Sequence, residues 1–199
     1  MNWIWQLHSL DRELTLAINS LHCTATDYLW LLFSNREIWF VMYAVVAFFL
    51  LRRLGWRCGL LWIVSIVLMI VCCDQGSNFI KDLVARLRPC KDPYMLEQGL
   101  WVLEGGGLYG FYSSHAANTL AFAIGSSLAF RCDGSRCKPY LIWIYIWAFL
   151  VGISRVFVGK HFLGDVLVGF LAGAFFALII GKLALWLTRH SAFFRPVSR

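Results

Sequence analysis

Three short stretches of this 199-residue chain hold side chains able to do phosphoryl chemistry. Lys81 precedes Arg88 and Pro89; Tyr112-Ser113-Ser114-His115 forms the second stretch; Ser154 and Arg155 precede His161 and Asp165 in the third. Lys81, Arg88 and Arg155 supply positive charge, and the planar guanidinium fork of arginine matches phosphate oxygens in bidentate fashion. Ser113, Ser114 and the unpaired N–H groups at the start of a helix add neutral donors, in a place where the helix dipole also favours an anion. Such a set is a phosphate cradle. Cleaving a phosphoester also needs attack on phosphorus and a proton for the leaving oxygen, and two histidines are at hand for those two jobs. His161 and Asp165 are four residues apart, so on a helix they share a face and the carboxylate can hold the imidazole tautomer and stabilise its cation. His161 is therefore the expected nucleophile and His115 the expected general acid.

Each residue taken singly has a plainer reading. A basic side chain at a helix end, Arg86 or Lys160 included, commonly snorkels to the interface, and Ser113 or Asp165 could simply cap a helix. Those readings give no reason for the three clusters to fall on one side of the membrane.

The elements that position them are apolar helices. Sixty per cent of the residues are hydrophobic and 15% charged, against about 45–50% and about 25% in ordinary soluble domains. This excludes disorder, a collagen-like fibre and a typical soluble enzyme. Charge-free runs at 38–51, 58–73, 116–130 and 140–153 are shorter than the roughly 20 residues a span needs, so polar helical extensions and snorkelling ends must lengthen them. A fifth run, 166–187, is long enough; it contains Lys182 near its end and carries Gly169 and Gly173 at the close-packing spacing. Residues 1–34 have apolar side chains at helical spacing (Leu10, Leu14, Ile18, Leu21), interrupted by Asp11, Arg12 and Glu13. That pattern predicts an amphipathic helix in the interface, and the interruption argues against a cleaved signal peptide. The expected architecture is an all-α integral membrane bundle of about five transmembrane helices with an N-terminal interfacial helix, one domain over residues 1–199.

Charge sets the expected orientation. If the loops after the first and third runs and the C-terminal tail face the cytoplasm, that side carries ten basic residues against Asp133 alone, including Arg136 and Arg199. The other side carries eight basic and ten acidic residues, so the net +7 divides into +9 inside and −2 outside. A multi-pass protein of the inner (plasma) membrane with its site on the periplasmic or extracellular side follows, and a nucleic-acid partner does not. Oligomeric state is not encoded in any such pattern. The seven cysteines cannot all pair; Cys58, Cys72 and Cys73 fall in apolar runs, Cys132 and Cys137 lack a second ligand pair for zinc, and Cys23 and Cys90 fall on one side with their pairing open.

At nine positions the three clusters resemble the signature of the type 2 phosphatidic acid phosphatase (PAP2) superfamily: Lys81, Arg88, Pro89, Ser113, His115, Ser154, Arg155, His161 and Asp165. Tyr112 and Ser114 stand where the family has proline and glycine. The resemblance spans residues 81–165, and the helix order is similar to that of small bacterial members such as undecaprenyl pyrophosphate and lipid A phosphatases. It implies a metal-independent lipid phosphatase that passes through a phosphohistidine on His161, with His115 protonating the leaving group, Asp165 supporting His161, and Lys81, Arg88, Ser113 and Arg155 binding phosphate. Undecaprenyl pyrophosphate and lipid A phosphate are the leading substrates, followed by phosphatidylglycerol phosphate. A phosphotransferase would keep the same histidines. A vanadium haloperoxidase would resemble a soluble protein, and a small transporter would place its charges at the midplane of broken helices. The segment 90–111, with Glu104 and Gly105-Gly106-Gly107, is the expected cover of the site.

Overall fold

The computed structural model describes residues 2–134 and 137–196, so Arg136 and Arg199 of the charge pattern lie outside the described residues. The α-helices are α1 (Asn2–Asn19), α2 (Thr24–Ser34), α3 (Phe40–Leu54), α4 (Trp56–Val84), the short α5 (Pro93–Glu97), α6 (Ser114–Arg131), α7 (Lys138–Phe157) and α8 (Leu163–His190). Among the described residues there is no strand, only an isolated antiparallel bridge between Leu87 and Tyr109.

Three helices, α4, α7 and α8, are long and apolar enough to cross a membrane. The apolar run at 58–73 is lengthened into the 29-residue α4 by a polar continuation that carries Asp74, Gln75 and Lys81 to Val84. Two further helices pack with them. The 15-residue α3 lies against α4, and the 18-residue α6 is enclosed by α4, α7 and α8. Its weak hydropathy has a packing reason. The buried positions of α6 include Ala116, Ala117, Ala121, Ala123, Gly125, Ser126 and Ser127, small side chains that let neighbouring helices come close. The contact with α8 is made through the glycine pair: a Cβ at Gly169 would stand 2.5 Å from the Ser113 carbonyl oxygen, and one at Gly173 would run into the Ala117 carbonyl. Around these small residues larger side chains, among them Leu50, Leu54, Trp62, Ile144 and Val151, complete the interior.

The chain enters and leaves this bundle at two ends. At one end the C-terminus of α3 is tied to the α6–α7 turn by an Arg53–Asp133 ion pair at 2.8 Å. At the other end lie the C-termini of α4 and α7 and the N-termini of α6 and α8, which is where all three chemical clusters fall.

The N-terminal segment differs from its expectation in one way. It forms two helices, α1 and α2, not one. Most apolar side chains of α1 are turned away from the protein, as an interfacial helix requires: Trp3, Trp5, Leu10 and Leu14 are exposed, Leu16 and Ile18 pack inward, and Thr15 and Asn19 are buried. Asn19 acts as a clamp. Its side-chain amide donates to the carbonyls of Trp101 (3.0 Å), Val156 (3.2 Å) and Phe157 (3.0 Å), satisfying orphan groups at the end of α7, and its oxygen accepts from the Trp101 N–H at 2.8 Å. A lipid-facing helix buries its polar side because the bilayer already serves its apolar one. Cys23 and Cys90, whose pairing the sequence left open, are both free thiols.

Candidate active site

The site is a cavity of about 570 Å³ at the clustered helix ends, lined by Arg88, Ser114, His115, Arg155, Lys160 and His161 together with Ser34, Arg36 and Glu104. His161 sits in the turn before α8. Its Nε2 stands 2.9 Å from Arg88 Nη1, and its Nδ1 stands 3.4 Å from Asp165 Oδ2. A guanidinium can only donate, so Nε2 holds a lone pair and the ring proton rests on Nδ1, facing the carboxylate. Burial, then the positive charges of Arg88, Arg155 and Lys81, hold the His161 imidazole well below its ordinary pKa of 6.5, which keeps it neutral.

The helical spacing argument for His161 and Asp165 is corrected by the structure: α8 starts at Leu163, so His161 is outside it. The two still meet, because Asp165 reaches back from the first turn, where its Oδ2 accepts the Phe162 N–H at 3.1 Å. The capping role and the histidine contact are therefore one arrangement. Asp165 is fully buried, and its other oxygen accepts from Arg86 Nη1 at 2.8 Å. Arg86, readable from sequence as an interfacial anchor, lies over the Phe162 ring and extends its second arm to Asp11 of α1 at 2.7 Å. Asp11 also accepts the Gly164 N–H at 2.8 Å. An unbroken chain of charged hydrogen bonds thus joins α1 to the carboxylate behind His161.

The path from α4 to Arg88 depends on one left-handed residue. Ala85 closes α4 at φ 49, reversing the chain so that Arg86 and Arg88 both point back to the α8 start. The Leu87–Tyr109 bridge and the Gly110 N–H to Arg86 carbonyl bond (2.9 Å) hold that strip against the covering segment. Gly110 must be small: a Cβ there would lie 3.0 Å from Arg88 Cγ and 3.2 Å from Asp165 Oδ2.

Arg155, at the end of α7, is 1% exposed. Its Nη1 donates to the Ser34 carbonyl at 3.1 Å and to the Ser34 hydroxyl, and reaches Glu104 Oε2 at 3.4 Å. Buried Nε atoms of both Arg88 and Arg155 have no acceptor among the described residues. A buried unpaired donor costs about 1–3 kcal/mol, a penalty that a bound phosphate oxygen would remove.

Ser113 is buried and caps α6, its Oγ accepting the Ala116 N–H at 3.5 Å, and its own N–H donates to the Asp165 carbonyl at 3.0 Å. It positions the α6 N-terminus and does not line the cavity. Ser114 and His115 do, and their own N–H groups, the first two of the helix, have no intrahelical acceptor. Ser114 starts a regular helix without positive φ, so serine meets the backbone requirement at a position where the family has glycine. Tyr112 fills its place by burying its ring and donating to the Cys73 carbonyl at 3.2 Å. Lys81 is half-buried on α4, outside the cavity wall, and acts on His161 through its charge.

The covering segment contributes what the sequence had no signal for. Glu104 lies inside the cationic cavity, where Oε1 accepts from Lys160 Nζ at 2.5 Å and Oε2 accepts from Ser34 Oγ at 2.6 Å. Burial pushes its carboxyl up, but these hydrogen bonds and the charge of Arg155 outweigh it and leave Glu104 below the usual range, ionised. The neighbouring Gly106 lets the segment descend: a Cβ there would lie 3.0 Å from Lys160 Cε. A carboxylate among these donors is a stand-in anion. Glu104→Gln is accordingly expected to tighten inorganic phosphate binding severalfold, read as a lower competitive inhibition constant; a higher constant would mean that Glu104 organises the cations more than it competes for them.

The comparisons with known proteins point the same way. The PAP2 superfamily model matches residues 59–189. The chain is 35% identical over 173 residues to a lipid A 4'-phosphatase of Bacteroides thetaiotaomicron, covering 85% of this chain and 74% of that protein. It is 30% identical over 174 residues to a lipid A 4'-phosphatase of Porphyromonas gingivalis, covering 86% and 70%. In fold it is similar to the PAP2-type phosphatidylglycerolphosphate phosphatase of Bacillus subtilis, with a TM-score of 0.73 at 19% identity over 93% of this chain and 89% of that one. Aquifex aeolicus LpxE gives 0.67 at 22% identity, over 85% and 93%. With its three motifs converging on one cavity and the family model covering most of its length, this helical membrane protein belongs to the PAP2 superfamily.

Proposed function

We propose that this membrane lipid phosphatase is metal-independent and works through a phosphohistidine on His161. The single observation that carries the reading is the pair of contacts on His161, Nε2 to Arg88 at 2.9 Å and Nδ1 to Asp165 at 3.4 Å, which fixes the tautomer needed for attack. A phosphate entering the cavity takes the Arg88 and Arg155 donors and the free N–H groups of the α6 N-terminus, with Lys81 and Lys160 adding charge. As Arg88 turns to phosphate, Nε2 is released to attack phosphorus. The bond to the leaving oxygen breaks, and His115 gives that oxygen its proton. Water then attacks the phosphorus of the phosphohistidine, His115 takes back a proton, the P–N bond breaks, and inorganic phosphate leaves with His161 restored. Throughout, Asp165 balances the imidazolium, and Arg86 and Ser113 position their neighbours.

The substrate we favour is the phosphate of a lipid A-type glycolipid, on the strength of similarity to the two lipid A 4'-phosphatases. Polyprenyl diphosphate and phosphatidylglycerol phosphate are the competing substrates. With the basic helix ends on the cytoplasmic side, the site opens to the outer face of the inner membrane, and α3 and α6 cross the bilayer with α4, α7 and α8 as parts of one domain. Protein purified in detergent is expected to release inorganic phosphate from a lipid A-type substrate with EDTA present. Activity restored only by a divalent cation would overturn the mechanism.

A further inference from the structure

A second cavity of about 350 Å³ adjoins the first, between α3, α4 and α6, and the two share Arg36, Ser114 and His115. Their walls differ in charge. Arg88, Arg155 and Lys160 line only the first; Asp74, Gln75 and Asn118 line only the second, set among apolar side chains such as Trp39, Tyr43 and Val151. Among the described residues no hydrogen bond or ion pair engages the side chains of Asp74, Gln75 or Asn118, and Asn118 Oδ1 is shielded from solvent with no donor. Asp74 lies ten residues before the end of α4, about 15 Å along the helix from Val84. An unpaired carboxylate in such a helix is costly and marks a substrate path. The Asp74 carboxylate and the shielded Asn118 Oδ1 are acceptors that call for a donor, and the amide N–H groups of Gln75 and Asn118 can donate in return, the pairing that a hydroxyl satisfies in both directions.

His115 belongs to both walls, which orders the substrate across them. Phosphorus lies on the cationic side, the scissile oxygen at His115, and the group attached to that oxygen in the second cavity. We infer that Asp74, Gln75 and Asn118 form a leaving-group subsite for a neutral, hydroxyl-bearing group, and that Asp74 disfavours a leaving group that is itself a phosphate. Arg36 lines both cavities, so its charge is common to the two sides; the selection comes from Asp74, which lines only the second. The inference rests on the phosphatase reading of the first cavity and deepens it.

The test compares kcat/KM for three lipids in the same micelles: a sugar-linked phosphomonoester, a glycerol-linked phosphomonoester and a polyprenyl diphosphate. Asp74→Asn keeps the shape and removes the charge. It is expected to lower turnover of the hydroxyl-bearing monoesters and to raise that of the diphosphate, shifting the ratio at least tenfold. Whichever monoester loses more identifies the group the subsite holds. Asn118→Leu provides an independent variant and should lower the monoesters over the diphosphate in the same direction. A ratio within twofold of the wild type in either variant, including a parallel loss on all three lipids, would overturn the subsite while leaving the phosphatase reading intact. No phosphate released from any of the three by the wild type would instead overturn that reading, and the subsite with it.

Discussion

Replacing His161 with alanine is expected to abolish phosphate release, with no residual turnover above the uncatalysed rate of water attack. The residue is 2% exposed and held at both ring nitrogens, so no neighbouring group can take its place as nucleophile. Among the described residues the only other imidazole lining the cavity is His115, whose proposed task is to protonate the leaving oxygen. His161→Ala should still bind inorganic phosphate, because Arg88 and Arg155 remain; binding with no turnover separates a lost nucleophile from a collapsed site. The same contacts predict the pH profile. His161 must be neutral to attack, and its pKa is lowered by burial and then by the surrounding cations, so protonation sets in only below the ordinary 6.5. Since kcat/KM reports the free enzyme, its acid limb attributable to His161 should lie below pH 6.5 once the ionisation of the substrate is allowed for. Arg88→Gln removes one of those cations and should move that limb upward. A limb that stays put would separate the titration from His161.

His115→Ala is expected to slow hydrolysis of an alkyl phosphate by about 10²–10⁴-fold, the usual worth of a positioned proton donor. The diagnostic is its dependence on the leaving group. An alkoxide needs that proton as the P–O bond breaks, whereas a nitrophenolate does not, so an aryl phosphate with a good leaving group should lose far less in the variant. Equal losses on both substrates would assign His115 to phosphate binding. The position of His115 on the wall common to both cavities is what supports its proposed role as donor to the bridging oxygen.

Much of this chemistry was readable in the linear order. The clusters at Lys81–Arg88, at His115 and at Arg155–Asp165 are flanked by apolar runs at 58–73, 116–130, 140–153 and 166–187, and helices in a bilayer deliver such clusters to one end or the other. What the sequence could not supply are contacts made at long range by ordinary-looking residues. Nothing marks Glu104 as the anion within the cradle, or Ser34, on a segment read as interfacial, as a partner of Arg155. Arg86 looked like an anchor because its two carboxylate partners lie 75 and 79 residues away. Ser113 was expected to hold phosphate, yet its hydroxyl is turned into the helix cap.

The amphipathic pattern of α1 shows most clearly where the line falls. Its spacing reveals that the helix has an apolar and a polar face, but in a membrane lipid is as apolar as a protein interior, so periodicity does not say which face meets which. The tertiary structure decided it, burying Thr15 and Asn19 and leaving Leu10 and Leu14 outward. For α6 the same physics works in reverse: small residues look like a poor membrane span until the helices that enclose it are in place. By itself the sequence determined that the chain is helical, resides in a membrane and carries phosphate chemistry at one end, because hydropathy, charge and motif spacing are properties of the chain alone. Only the tertiary structure decided the state of that site, its tautomer, its carboxylate occupant and its second cavity, because these depend on distances between residues that the chain order does not hold together.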